Sequence, residues 1–254
     1  IMLDFGYRTQ LKNIFTYLPV KRQNIMFSAT MTENVDVLIN EYFNIPEKIS
    51  IAVSGTPLEN ITQTSYKAPN YTTKTNLLKS ILQDKEKFDK VLIFISKQDL
   101  ANRLFDDLSE VFNGKVGIIH SKKEQNFRIR AIESFENAET RILIATDVIA
   151  RGVDLNKISH VINFDTPFYP ENYMHRIGRT GRAEQKGESI LLFSEKENDA
   201  KKGVERLMNF EIPLKELPLD VEISNRIVPE EQEVKKEIAN IEYNHQKSDA
   251  GAFH

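Results

Sequence analysis

Short apolar runs separated by longer stretches with helical spacing constrain the fold of this chain more than any other feature. Five such runs lie between residues 91 and 193: VLIFI (91–95), KVGIIH (115–120), RILIA (141–145), HVINF (160–164) and SILLF (189–193). Apolar and polar residues do not alternate in them, so each strand should be buried on both faces, as in a parallel sheet covered by helices on both sides. The pattern predicts an α/β fold with a doubly wound parallel sheet.

The stretches between the runs have the spacing of amphipathic helices. In DLANRLFDDLSEVF (99–112), Leu100, Leu104 and Leu108 recur every fourth residue, which predicts a crossover helix. A second helix is predicted for EQNFRIRAIESF (124–135). Four of its apolar side chains are expected to point inward: Phe127, Ala131, Ile132 and Phe135.

The region before residue 65 follows the same pattern only in part. QNIMFSAT (23–30) predicts one strand with a helix after it, and the Gly-, Pro- and polar-rich stretch that follows is typical of a linker. We therefore predict the end of a first α/β domain at 1–53, a linker at 54–64, a second α/β domain at 65–212 and a partly disordered extension at 213–254.

Composition narrows the functional classes. The net charge is −3, and the segment 219–254 carries eight acidic and four basic residues, so a polyanion site must be a local patch. The chain has no cysteine and no apolar run near the roughly 20 residues that a membrane span needs. We expect a cytoplasmic monomer. We also expect no disulfide, no metal ion bound by this chain and no membrane association.

An arginine cluster is the candidate for that patch. HRIGRTGR (175–182) interleaves Arg179 and Arg182 with glycines, and guanidinium groups grip phosphate oxygens with two hydrogen bonds. The segment TDVIARGVD (146–154) follows one predicted strand, and the arginine cluster follows the next one along the chain. Ligands of such folds lie beyond the carboxyl ends of the strands. We therefore expect both segments to emerge at the same edge of the sheet and to share one cleft.

Four segments in this order resemble the DEAD-box ATP-dependent RNA helicases: SAT (28–30), VLIFIS (91–96), ATDVIARGVD (145–154) and HRIGRTGR (175–182). The resemblance covers residues 1 to about 212 and implies a RecA-like fold of the P-loop NTPase type, with part of a first RecA-like domain at the N-terminus. The compact core and short tail are most similar to the bacterial RhlE-type branch.

The resemblance implies a nucleotide site between two RecA-like domains. Arg179 and Arg182 match the arginine fingers that stabilise the transferred γ-phosphoryl group, and Asp154 matches the aspartate that accepts a hydrogen bond from the ribose. Gly152 belongs to the same nucleotide-binding motif. His175 matches the histidine that couples the finger loop to the first domain.

The resemblance also implies residues for coupling and for RNA. Nucleotide state and RNA binding would be coupled by Ser28, Ala29, Thr30, Arg151 and His175. The sugar–phosphate backbone of RNA would be held by Thr146, Gln125, Arg128 and Lys97, independently of sequence. For Arg176 a structural salt bridge is the better interpretation.

Two family motifs have no match in this sequence: the phosphate-binding G-x-x-x-x-G-K-[ST] and the D-E-A-D tetrapeptide. Because MLDFGY (2–7) is similar to the segment that follows D-E-A-D in this family, we expect the Mg²⁺ ligands to lie in a missing N-terminal part. ATP and Mg²⁺ are thus the implied cofactors, and this fragment alone should hydrolyse no ATP.

The function that follows is RNA-stimulated ATP hydrolysis with local unwinding of short RNA duplexes or remodelling of RNA–protein complexes. One alternative is a DNA helicase of the same superfamily, which SAT and the histidine of HRIGRTGR disfavour. The other is a nucleic-acid-binding module without hydrolysis.

Overall fold

A computed structural model of the 254 residues describes residues 8–27, 33–49, 60–147, 157–181 and 186–231. The chain forms two compact units, residues 1–54 and 55–254. Each is described by itself below.

The second unit is built on one sheet of seven parallel strands. They are β1 (Ile61–Lys67), β2 (Val91–Phe94), β3 (Val116–Ile119), β4 (Ile142–Ala145), β5 (His160–Asn163), β6 (Gly187–Phe193) and β7 (Leu214–Lys215). Their order across the sheet is β3-β4-β2-β5-β6-β1-β7, and every paired neighbour runs parallel. All five predicted runs are strands, which confirms the parallel α/β prediction.

Helices cover both faces of this sheet. They are α3 (Tyr71–Ile81), α4 (Gln98–Ser109), α5 (Gln125–Glu136), α6 (Pro170–Ile177) and α7 (Asn198–Met208), numbered after the two helices of the first unit. Side chains alternate along each strand, so Val91 and Ile93 join a core with α3 and α4, while Leu92 and Phe94 pack with Phe135 of α5. A third cluster joins the sheet to α6 and α7. The central strands are thus buried on both faces.

The predicted helices hold with one correction. Leu104 and Leu108 of α4 are fully buried, and so is Phe135 of α5. Phe127 does not point inward as predicted, because its side chain is 39% exposed beneath the ammonium group of Lys123, which lies 5.5 Å from the ring centroid. It lies in the first turn of α5.

The second unit is longer than its motifs indicate. Strand β1 begins at Ile61, inside the range predicted as a linker, and pairs with β6 along its length. After α7 the chain adds β7 beside β1 and runs along α3 as far as Glu231. Val221 and Val228 of this segment are buried in the core with α3 and α4. Residues 214–231 are therefore part of the packed unit.

The first unit contains α1 (Arg8–Tyr17) and α2 (Glu33–Tyr42). The rings of Phe15 and Tyr42 stack with centroids 4.3 Å apart, and the side-chain amide of Asn24 donates to the Tyr42 carbonyl at 3.0 Å. The strand predicted for 23–30 is not formed over its described part, 23–27. A strand requires a neighbour to pair with, and the described residues of this unit offer none.

None of the described helices is long and apolar enough to cross a membrane.

Candidate nucleic-acid and nucleotide site

The four predicted RNA-binding residues lie at the carboxyl edge of the sheet. Lys97 precedes α4 after β2, Gln125 begins α5 after β3, Arg128 lies one turn further along α5, and Thr146 directly follows β4. Because β3, β4 and β2 are adjacent, these residues belong to one continuous surface. Backbone hydrogen bonds extend the ladder there, from Thr146 N to the Ile119 carbonyl at 3.3 Å.

Three helices point their N-termini at this edge without side-chain caps. The residues before α4, α5 and α6 are Lys97, Glu124 and Tyr169, and none makes a side-chain cap hydrogen bond. By contrast, the first turn of α3 receives hydrogen bonds from Asn70 and Glu231. The positive end of a helix dipole favours an anion. The edge over β3, β4, β2 and β5 is therefore suited to phosphate groups.

Buried polar atoms without partners lie at the same edge. Within the described residues, no hydrogen bond reaches the hydroxyl of Thr146, Nε of Arg128, Oε1 of Gln98 or Nδ1 of His120. Burial, with the nearby charges of Lys123 and Lys122, lowers the pKa of His120, so this imidazole stays neutral near pH 7. Buried polar groups are nearly always satisfied, so these four atoms have hydrogen-bonding capacity that the described residues do not use.

Arg176 is the centre of an ion-pair network that ties three strand ends together. Its side chain is 1% exposed. Its guanidinium group donates from Nε and Nη2 to the two carboxylate oxygens of Asp147, at 2.5 and 2.8 Å, and from Nη2 to the Ser96 hydroxyl at 3.1 Å. Nη1 contacts the carboxylate of Asp165 at 3.3 Å. The predicted structural salt bridge is confirmed, and it links the ends of β4, β2 and β5.

Burial and ion pairing act in opposite directions on the pKa values of the groups in this network. Burial disfavours the charged guanidinium, but its hydrogen bonds to Asp147 and the negative charges of Asp165 and Asp147 outweigh burial, so the pKa of Arg176 is raised. Burial raises the pKa of Asp165, although Arg176 and two hydrogen bonds from Ser96 favour its ionised form. The positive charge of Arg176 is thus fixed beside two carboxylates.

Arg179 lies at the other edge of the sheet. Its Nε donates to the carbonyl of His175, which is in the last turn of α6, at 3.3 Å. The next residue, Thr180, donates its buried hydroxyl to the Ile158 carbonyl at 2.6 Å, just before β5 begins. The expectation that both motifs emerge at one edge is therefore wrong for Arg179. A helix after a parallel strand runs back along it, so α6 returns its end to the amino edge.

Tight packing fixes the loop 178–181, which carries Arg179 and is called the finger loop below. Gly181 has φ +67°, and a Cβ there would lie 2.6 Å from Cγ1 of Ile61 at the start of β1. A Cβ on Gly187 would collide with Thr180. Glycine is therefore required at both positions, and the backbone that carries Arg179 is held directly against the amino ends of β1 and β6.

Comparison with known proteins agrees with this architecture. The family model for the helicase conserved C-terminal domain matches residues 73–184. The ATP-dependent RNA helicase DbpA of Bacillus subtilis is 34% identical over 225 residues, which are 89% of this chain and 46% of DbpA. A crystal structure of the E. coli DEAD-box protein SrmB, bound to the regulator RraA, is 32% identical with a TM-score of 0.57 and covers 66% of this chain and 97% of its own.

This chain belongs to the DEAD-box ATP-dependent RNA helicase family. It spans about half the length of the curated relatives it matches. A further structure, the DEAD-box helicase domain 2 of Mss116p bound to an RNA duplex, is 26% identical with a TM-score of 0.57, covering 62% of this chain and 64% of its own. The RecA-like fold predicted for residues 65–212 is that of these helicase structures. The assignment to the RhlE-type branch stays a prediction.

Several predicted site residues of this chain lie outside the described residues: Ser28, Ala29, Thr30, Arg151, Gly152, Asp154 and Arg182. The described ranges bring together no cluster of three His, Asp or Glu residues that could hold a metal ion.

Sequence analysis missed the partners of Arg176. Ser96, Asp147 and Asp165 each follow the end of a buried parallel strand by one or two residues. Small or acidic residues at that point of neighbouring strands meet at one edge, and this signal was available in IS (95–96), TD (146–147) and FD (164–165). The strand order, which makes β4, β2 and β5 neighbours, was needed to find the network.

Proposed function

We propose that the protein is an ATP-dependent RNA helicase in which this chain supplies the second RecA-like domain. Arg179 and Arg182 act as arginine fingers, which stabilise the negative charge that spreads over the γ-phosphoryl group during transfer. Asp154 and Gly152 contact the ribose side of the nucleotide. The reaction is RNA-stimulated ATP hydrolysis coupled to local separation of short duplexes.

The observation that carries this proposal is the position of α6. This eight-residue helix holds Arg176, whose side chain reaches back to Asp147 and Asp165 at the carboxyl edge, and it ends at Ile177, two residues before Arg179 in the loop by the amino edge. A shift of the strand ends that Arg176 joins would therefore move the finger loop. One rigid helix connecting both sites is what a coupled RNA-dependent ATPase requires. His175 and Arg151, with Ser28, Ala29 and Thr30, complete this relay in the proposal.

The carboxyl edge supports the RNA half of the proposal. Thr146, Gln125, Arg128 and Lys97 are brought to one surface, together with helix N-termini that lack side-chain caps and buried polar atoms that have no partner among the described residues. Such a surface binds a sugar–phosphate backbone without reading bases. The Mss116p domain 2 structure, which has the same fold, was solved bound to an RNA duplex.

The domain organisation follows from the same proposal. Residues 1–53 are the end of a first RecA-like domain, whose remainder supplies the phosphate-binding loop and the carboxylates that bind Mg²⁺. The sequence contains neither G-x-x-x-x-G-K-[ST] nor D-E-A-D. These 254 residues alone should therefore bind RNA weakly and hydrolyse no ATP.

The RNA half is tested with Arg128→Ala. Equilibrium binding to several unrelated single-stranded RNAs should weaken by a similar factor for each, and the slope of log affinity against log salt should fall by about one phosphate contact. Arg130→Ala is the matched control, because this exposed arginine is on α5 two residues away, on a different face of the helix. A loss confined to particular sequences, or an equal loss for Arg130→Ala, would contradict the proposal.

A further inference from the structure

Two adjacent aromatic side chains stand in solvent between β5 and α6. Phe168 is 83% exposed and Tyr169 is 61% exposed. Their rings are perpendicular, with centroids 5.0 Å apart and an interplanar angle of 89°. Single exposed apolar residues are common, whereas these two exposed rings in contact form a small continuous apolar surface.

The backbone that carries this pair is fixed at both ends. Before it, Thr166 N donates to the carboxylate of Glu197 at 2.8 Å. After it, Pro170 occupies the first turn of α6 and Asn172 N donates to the Tyr169 carbonyl at 3.0 Å. Both ends are held, so the rings are presented in a defined position and little conformational entropy is lost when a ligand binds.

The aromatic pair lies next to the predicted RNA-binding residues Lys97, Gln125, Arg128 and Thr146. Its loop follows β5, which is the neighbour of β2, and strands in a sheet are about 4.8 Å apart. Asp165, three residues before Phe168, accepts hydrogen bonds from the backbone N–H and the hydroxyl of Ser96, each at 2.7 Å. The residue after Ser96 is Lys97, so the lysine and the aromatic pair are mounted on loops that are bonded to each other.

Along the carboxyl edge the order is therefore Gln125 and Arg128 after β3, Thr146 after β4, Lys97 after β2, and the aromatic pair after β5. A single strand that follows the first four residues along this edge arrives next at the rings. We propose that Phe168 and Tyr169 form a stacking platform for one or two bases of single-stranded RNA that has passed Lys97.

This inference rests on the proposed RNA-binding function and adds a contact to the bases. Every base has a π-face, so stacking on aromatic rings increases affinity without reading sequence. The platform is remote from the finger loop, since Arg179 and Thr180 lie toward the amino edge. Adenine of the hydrolysed nucleotide is therefore not its ligand.

The test is RNA binding by the full 254-residue chain, using a labelled single-stranded RNA of about ten nucleotides. Removing both rings with the double variant Phe168→Ala and Tyr169→Ala should weaken binding by about fivefold or more, the range for loss of one stacked base. The salt dependence should not change, because no charge is removed. Tyr169→Phe keeps the ring and should bind like the original chain.

Phe210→Ala is the matched control. This phenylalanine is 44% exposed, lies beyond the end of α7 and precedes β7, away from the carboxyl edge. It should leave RNA affinity unchanged. Equal losses for Phe210→Ala and the double variant would mean that nonspecific apolar contact explains the binding, which overturns the platform.

A series of RNAs with a single abasic site identifies the stacked base. The original chain should lose affinity at one or two positions, and the double variant should show no further loss at those positions. If the double variant loses as much affinity as the original chain for each abasic RNA, the rings stabilise the loop and do not stack on a base, and the platform is wrong. If it binds as well as the original chain while Arg128→Ala binds weakly, the platform is wrong and the RNA function stands. If the chain binds no RNA, both fail.

Discussion

The two units of this chain use similar sequence patterns with different results. In residues 60–231 the strands and their helices bury cores on both faces of the sheet, with Leu77 and Leu104 on one face and Phe94 on the other. In the described part of the first unit only Ile39 is a buried hydrophobic residue, while Val20, Ile25 and Phe27 are largely exposed.

The difference shows what an α/β pattern needs in order to become a core. Each amphipathic helix buries its apolar face only when a sheet is there to receive it. The described residues of the second unit form a sheet of seven strands, whereas those of the first unit form two helices and no strand. The exposed apolar residues of the first unit support the proposal that it is the end of a larger domain.

The largest expected difference between the units comes from a buried charge. Arg176→Met removes a guanidinium group from between Asp147 and Asp165 and should lower the free energy of unfolding of the second unit by about 4 kcal/mol, since the two carboxylates are left without their counter-ion. Arg22 in the first unit is exposed, so Arg22→Met should change the free energy of unfolding of that unit by less than about 0.5 kcal/mol. Urea unfolding followed by circular dichroism measures both, and similar effects would break the comparison.

Truncating an apolar side chain tests the cores directly. Leu77→Ala should lower the free energy of unfolding by about 3 kcal/mol, because Leu77 of α3 is fully buried and its truncation leaves a cavity. Val20→Ala should be almost neutral, since Val20 is 100% exposed in the described unit. A cost above about 1 kcal/mol for Val20→Ala would show that the first unit has its own core. Hydrogen exchange resolved by segment assigns each effect to its unit.

Ion pairs provide a smaller contrast that depends on pH. Glu197 bonds Lys74 at 2.7 Å and accepts hydrogen bonds from Ser194 N and Thr166 N. Burial acts to raise the pKa of Glu197, but Lys74 and these hydrogen bonds outweigh it and leave the pKa below the ordinary 4.5.

A lowered carboxyl pKa stabilises the folded state above the unfolded-state pKa. That contribution is lost as the pH falls from about 4.5 through the folded-state pKa of Glu197. Glu197→Gln should therefore cost about 2 kcal/mol at pH 7, less at pH 3, and flatten the acid side of the stability curve. Asp36→Asn should cost under about 1 kcal/mol, because the Asp36–Lys48 pair of the first unit is exposed. A pH-independent cost for Glu197→Gln would contradict the ion-pair account.

The sequence was sufficient for the buried strands and for α4, because continuous apolar runs and leucines every fourth residue have few alternative interpretations. It was insufficient for β1 and for the segment after Pro213. In β1, polar Gln63 and Ser65 occupy buried positions, which hides the strand from a search for apolar runs.

Part of the candidate site could likewise be predicted from the sequence. The motif residues at strand ends were found, but their division between two edges depends on the direction in which α6 runs. That direction follows from helix–strand topology, which must be applied to each motif residue separately. Arg176 reaches the carboxyl edge through its side chain, whereas Arg179, three residues later in the same motif, lies on the loop beside the amino edge.

Phosphate release from ATP tests the central claim most directly. It should be measured for the 254-residue chain, and for the same chain joined to a complete first RecA-like domain, each without nucleic acid, with single-stranded RNA and with DNA of matched sequence. We expect no turnover by the chain alone and RNA-stimulated turnover by the joined protein, which Arg182→Ala should reduce about 10³-fold or more while RNA binding persists. RNA-stimulated turnover by the 254 residues alone, or stimulation of the joined protein by DNA equal to that by RNA, would contradict the account.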